Sequence, residues 1–99
     1  MKGVLKMGHT ETKIVLRQLG AKIAYFRTLA GISQSELAKR INSTQSTVSK
    51  IECGSYNDSL SIPMLVSIAN ALNVDLSLLL HFNDFEKEMW DRTITASEI

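Results

Sequence analysis

The densest run of hydrogen-bonding side chains in this 99-residue sequence is Gln45, Ser46, Thr47, Ser49 and Lys50, between Thr44 and Gly54. Val48 and Ile51 are the apolar members of the run. Amides, hydroxyls and an ammonium in this arrangement donate and accept hydrogen bonds. They are not set up to move protons or attack a carbon. Elsewhere there is no Ser–His or Cys–His pair in a suitable context, and no glycine pair has the spacing of a phosphate loop. Cys53, His9 and His81 lack the spacing of metal ligands. The expectation is therefore no enzyme, no metal and no cofactor, with Cys53 an inert small residue.

The elements that must hold this polar run read as helices, because apolar residues recur at helical spacing and strand-like alternation is almost absent. The spacing predicts a first helix over about Glu11–Ala30, with a stripe of Leu16, Leu19, Ile23, Phe26 and Ala30. Gly31 is suited to end it. A second helix runs from Ser33 to Ile41, where Ser33 and Glu36 form a capping box and Leu37, Ala38 and Ile41 face inward. Asn42 tolerates the tight turn that follows. A third helix runs from Thr44 to Cys53, closed by Gly54. Its apolar face is thin, so its neighbours must hold it. After a loop over residues 55–59, a fourth helix starts at Ser61, buries Leu65, Ile68, Ala69 and Leu72, and ends at Asn73. Asp75 caps a short fifth helix that ends near His81. In the tail, Phe82, Phe85, Met89 and Trp90 share one helical face, with Asp84, Glu86, Glu88 and Asp91 on the other.

The length fits one domain, and 44% apolar with 21% charged residues fits an ordinary globular chain. A single cysteine cannot close an internal disulfide, which suits a reducing cytoplasm. No apolar run reaches the length of a membrane span, and the first residues lack a signal-peptide core; Met7 offers a second candidate start. The net charge of +1 hides an asymmetry. Residues 1–54 hold nine Lys/Arg and three Asp/Glu, whereas residues 55–99 hold two and seven. A basic half can meet a polyanion while the acidic half faces elsewhere.

Two short helices joined by a tight turn, the second with a polar face, form a helix-turn-helix arrangement whose second helix fits the major groove of B-DNA. The run Ile32–Gly54, ISQSELAKRINSTQSTVSKIECG, resembles the DNA-binding core of the Cro/phage-repressor (Xre-type) family, and Ile68–Val74 resembles that family's fourth helix. The likeness covers roughly residues 14–81. It implies an all-α, five-helix lambda-repressor-like domain over residues 11–81. A basic N-terminal arm (1–10) precedes it, and an acidic, aromatic extension (82–99) has no counterpart in the family pattern. It also implies a transcriptional regulator, a repressor, that binds double-stranded DNA as a homodimer on a palindromic operator. Two positions depart from the pattern. Asn42 stands where Gly is common, and Ser43 where an apolar residue is common.

Carried over residue by residue, the resemblance assigns base contacts to Gln45, Ser46 and Lys50. A glutamine amide can pair with adenine N6 and N7, and a lysine can donate to guanine O6 and N7. The resemblance also assigns contacts to the DNA backbone to Gln34 and Thr44. Thr47, Ser49 and Lys39 are further backbone-contact candidates, and by their charge Lys39 and Arg40, with a basic arm of Lys2, Lys6 and Lys13, add attraction to phosphates. Arg27 and Glu52 match a partly buried ion pair tying the first helix to the third. The alternatives stay open at this stage. The polar run can be a solvated face, and Arg27 and Glu52 two separate surface charges. The tail stripe either folds back on the chain's own core, builds a dimer interface, or receives a partner, as in antitoxin-type regulators that also bind a toxin. A protein-interaction module without DNA binding is a third reading.

Overall fold

Side-chain oxygens open three of the helices in the computed structural model, which describes residues 9–55 and 60–81. These residues form α1 (His9–Leu29), α2 (Gln34–Arg40), α3 (Gln45–Glu52), α4 (Ile62–Leu72) and α5 (Leu76–Leu80). Ser33 Oγ accepts from the Glu36 amide at 3.0 Å, Thr44 Oγ1 from Thr47 at 3.2 Å, and Ser61 Oγ from Met64 at 3.2 Å. Each bond satisfies an amide that the first turn leaves without a helical partner. Pro63 sits in the first turn of α4, where its missing N–H costs nothing.

Two of these expectations change at the helix starts. The Ser33–Glu36 box forms on the hydroxyl side, but the Glu36 carboxylate accepts from Arg40 Nε at 3.1 Å. A cationic partner one turn away offers a charge-assisted bond that a backbone amide does not. Asp75 occupies the cap position of α5 without a side-chain cap bond. The turns follow the expected chemistry. Asn42 and Asn73 adopt φ of 56° and 58°, and Asn73 closes α4 in the left-handed conformation.

The core gathers one face from every helix: Leu19 and Ile23 of α1, Leu37 and Ala38 of α2, Val48 and Ile51 of α3, four residues of α4 and Leu79 of α5. The four from α4 are Leu65, Ile68, Ala69 and Leu72, as its spacing predicts. Phe26, Ile32 and Ile41 pack around this cluster. On α1 the prediction is corrected at three points. Leu16 is half-buried and does not join this cluster. Ala30 is exposed, because the helix ends at Leu29 and Ala30 lies in the turn. Ile14 and Gln18, on a different face from Leu19 and Ile23, are buried. The basic arm and the tail stripe fall outside the described residues, apart from the start of α1.

α1 and α3 meet at a glycine. A Cβ added to Gly20 would lie 2.6 Å from the Glu52 carbonyl oxygen, so the backbone of α3 occupies the space a side chain would need. Gly54, with φ of 72°, ends the α3 segment against Arg17; an added Cβ would sit 2.9 Å from Arg17 Cγ. Among the described residues no helix is long and apolar enough to cross a membrane. The Gly20 contact predicts that Gly20→Ala forces α1 and α3 apart and lowers stability by about 1–3 kcal/mol, the usual range for overpacking. Urea or thermal unfolding checks this; an unchanged midpoint contradicts the close approach.

Candidate nucleic-acid interface

α3 divides its eight residues cleanly. Val48 and Ile51 point into the core. Gln45, Ser46 and Lys50 are exposed, with Thr47 and Ser49 half-buried beside them. Ser46 and Lys50, four residues apart, share the outward face. The predicted base-contact residues are thus brought together on one side of one helix. Of the predicted backbone-contact residues, Thr44 opens that helix, its Oγ1 also donating to Thr47 Oγ1 at 3.0 Å. Gln34 sits alongside at the start of α2, and Lys39 is exposed in the last turn of α2.

An eight-residue helix with two buried side chains does not hold its own position. The Glu52 carboxylate does much of this. Arg27 Nε donates to Glu52 Oε2 at 2.6 Å and Arg27 Nη2 to Oε1 at 3.1 Å, a two-pronged pair across α1 and α3. The side chain of Glu52 is 6% exposed and that of Arg27 17%. A third donor, Gln34 Nε2, reaches Glu52 Oε1 at 2.9 Å. Arg27 Nη1 donates to the Ile32 carbonyl at 2.7 Å, which fixes the link between α1 and α2. The hydrogen bond to Glu52 raises the Arg27 pKa above its already high ordinary value, outweighing the partial desolvation. The guanidinium therefore stays charged at every accessible pH. The alternative of two separate surface charges is excluded.

From this pair the network runs outward. Gln34 Oε1 accepts from Gln45 Nε2 at 2.6 Å. One hydrogen of the Gln45 amide is thereby held, its other hydrogen stays available, and its carbonyl oxygen is left as an acceptor. That leaves the donor and acceptor that a purine edge requires. Sequence reasoning missed this glutamine pair. It links positions eleven apart on different helices, and neither periodicity nor capping rules reach that far. Arg40 also departs from expectation. Besides Glu36, it donates from Nη1 to the Ala71 carbonyl at 3.0 Å, near the end of α4. Its charge braces α2 against α4 and is not a free cation beside the polar face.

Comparison with known proteins agrees with this arrangement. A helix-turn-helix family model matches residues 23–79. The chain belongs to the Xre/Cro-type helix-turn-helix family. An uncharacterized HTH-type transcriptional regulator of Archaeoglobus fulgidus is 34% identical over 71 residues, covering 72% of this chain and 96% of the relative. The crystal structure of the restriction-modification controller protein C.AhdI from Aeromonas hydrophila superposes with a TM-score of 0.61 at 30% identity, over 68% of this chain and 94% of that one. The clp gene regulator ClgR from Corynebacterium glutamicum superposes with a TM-score of 0.64 at 25% identity, over 85% and 83%. This helix-turn-helix protein is a transcriptional regulator with a DNA-binding domain, and its described residues form the five-helix, all-α fold of that class.

In this regulator, Glu52→Ala strands the Arg27 guanidinium and is expected to cost roughly 2–4 kcal/mol. The double variant Arg27→Met/Glu52→Leu is expected to cost less than the sum of the two single changes, because no charge is left unpaired. A denaturant double-mutant cycle measures both values. Strict additivity would mean that the two side chains do not act together.

Proposed function

We propose that this regulator is a repressor that reads a palindromic operator as a homodimer, with α3 of each copy in the major groove. The reading rests on the outward face of α3, where Gln45, Ser46 and Lys50 stand together while the opposite face is locked by the core and the Arg27–Glu52 pair. Gln45, already oriented by Gln34, pairs with adenine; Lys50 donates to guanine; Ser46, being short, permits close approach. Each matched pair discriminates by about 1–3 kcal/mol. Gln34, Thr44, Thr47, Ser49 and Lys39 contact the DNA backbone and fix the register. The regulator acts where the DNA is, in the cytoplasm.

Two copies on one face of the duplex need α3 helices about 34 Å apart. The surface for the second copy is the apolar patch of α4 and α5, which pack together. Ile62 and Val66, one turn apart on α4, are exposed, as are Leu78 and Leu80 of α5. Four large apolar side chains on adjoining helices fit a self-complementary interface. The reading in which a toxin or other protein binds the tail depends on residues 82–99, outside the described residues.

Selection from a random duplex library is expected to enrich an inverted repeat, with affinity for it falling steeply as salt rises. Salt-sensitive binding without an enriched sequence would reduce the site to phosphate contacts. On the selected operator, Gln45→Ala/Lys50→Ala is expected to lose sequence preference while melting as the parent does; unchanged preference removes α3 as the reading helix. Leu78→Glu with Val66→Glu is expected to give a monomer by light scattering and to bind only half-sites. A dimer that survives both changes uses another surface. A reporter driven through the operator is expected to fall silent when the regulator is expressed, and a rise instead makes it an activator.

A further inference from the structure

A chain of hydrogen bonds runs from the inner end of α3 to its outward face, and the sense of each bond is dictated from the inside. Arg27 has only donors and the Glu52 carboxylate only acceptors, so both Arg27 bonds end on Glu52 oxygens. A glutamine amide is different. Its oxygen accepts, its nitrogen donates, and half a turn about the last torsion exchanges the two with little change of shape. A lone surface glutamine can therefore present either atom to a base. Gln34 lacks that freedom, because only its nitrogen can face Glu52 Oε1, 2.9 Å away. Its oxygen is the atom left for Gln45, and only the Gln45 nitrogen can meet it, at 2.6 Å. The opposite sense would set the Gln34 oxygen against a carboxylate that is almost wholly out of water, where a missing donor is costly. Gln34 is half-buried and Gln45 exposed. The sense is thus fixed where water does not compete, and it emerges on the polar face.

We infer that Glu52, without touching DNA, selects adenine over guanine at the base pair that Gln45 reads. The inference rests on the reading of α3 as the groove helix. With Nε2 held by Gln34, Gln45 offers its Oε1 and one remaining N–H. Adenine presents the N6 amino group, a donor, beside N7, an acceptor, and answers both. Guanine presents O6 and N7, two acceptors, and brings O6 against Oε1. A Gln45 amide free to turn over would carry its amino group to those guanine acceptors instead. Glu52 is therefore a positioning residue for base choice. It acts through Gln34, and the discrimination comes from the atom that the relay forbids Gln45 to present. Arg27 supplies the countercharge that makes the carboxylate tolerable in the interior.

The test compares affinities of the full-length protein for the selected operator and for the same duplex with the adenine–thymine pair under Gln45 changed to guanine–cytosine. That pair is the one at which Gln45→Ala loses preference. Circular dichroism and thermal melting control for folding. Changes at Glu52 also unsettle the buried pair, so the relay is altered at Gln34. The unaltered protein is expected to favour adenine by about fivefold or more. Gln34→Met keeps the Arg27–Glu52 pair and frees the Gln45 amide, and the adenine-to-guanine ratio is expected to fall severalfold. A lost phosphate contact alone lowers both affinities equally and leaves the ratio unchanged. Gln34→Lys is the sharper variant. Its ammonium donates both to Glu52 and to Gln45 Oε1, so the Gln45 amide turns over and the preference is expected to move to guanine. A guanine preference in the unaltered protein, or a ratio that neither Gln34 variant changes, overturns the inference and leaves α3 as the reading helix. So does an adenine preference that folded Gln34→Lys protein retains. If Gln45→Ala alters preference at no base pair, the reading of α3 fails and this inference with it.

Discussion

The Glu52 carboxylate is the group on which the arrangement of the first three helices turns. It sits at the end of α3, is almost wholly removed from water, and accepts from two nitrogens of Arg27 and one of Gln34. A carboxylate in that position is tolerable only with such partners, since desolvating an ion costs several kcal/mol before its contacts return the stability. The three donors come from α1 and α2, so one anion fixes the relative positions of three elements. α2 and α3, with seven and eight residues, are too short to persist by themselves. Their order derives from this pair and from the core residues Leu37, Ala38, Val48 and Ile51.

The same contact extends to the surface. Through Gln34 the buried carboxylate is connected to Gln45, the first exposed residue of the polar face. A side chain on the protein surface ordinarily samples several rotamers, and ordering it on binding costs roughly 0.5–1.5 kcal/mol. A Gln45 amide already hydrogen-bonded on one side has less freedom to lose. On the opposite flank, Arg40 joins α2 to the Ala71 carbonyl near the end of α4. The helix-turn-helix pair is thus braced from α1 and from α4.

The local chemistry of this fold was legible in the sequence, and the long-range chemistry was not. Ser33, Thr44 and Ser61 cap helices because a hydroxyl beside a free amide is a matter of a few residues. Asn42 and Asn73 take positive φ for an equally local reason. The core faces of α2, α3 and α4 follow from periodicity. On α1 periodicity falls short, because it identifies a face without identifying what covers it. The face through Leu19, Ile23 and Phe26 was readable, but Leu16 stays outside the cluster, and Ile14 and Gln18 on the other side were not readable. Glu36 turned from its own cap to Arg40, a cation one turn along the same helix, while Gln34 bonds to both Glu52 and Gln45 of α3, contacts that no local rule reaches. The Arg27–Glu52 pair, 25 residues apart, was suggested by family resemblance; no spacing rule would have found it.

The polar face of α3 sets a limit on how the domain can be stabilised. Adding an apolar side chain at exposed Ser46 would strengthen no core contact, since the core lies on the opposite side of the helix, and would remove a hydrogen-bonding group from the outward one. Support for α3 therefore has to come from its inner side and its end. That is where the close packing of Gly20 and the Arg27–Glu52 pair are found, both on the seam between α1 and α3. α1 serves as the beam of the molecule: it packs against α3, α4 and α5. Held from that side, α3 is free to keep a surface made for polar contacts.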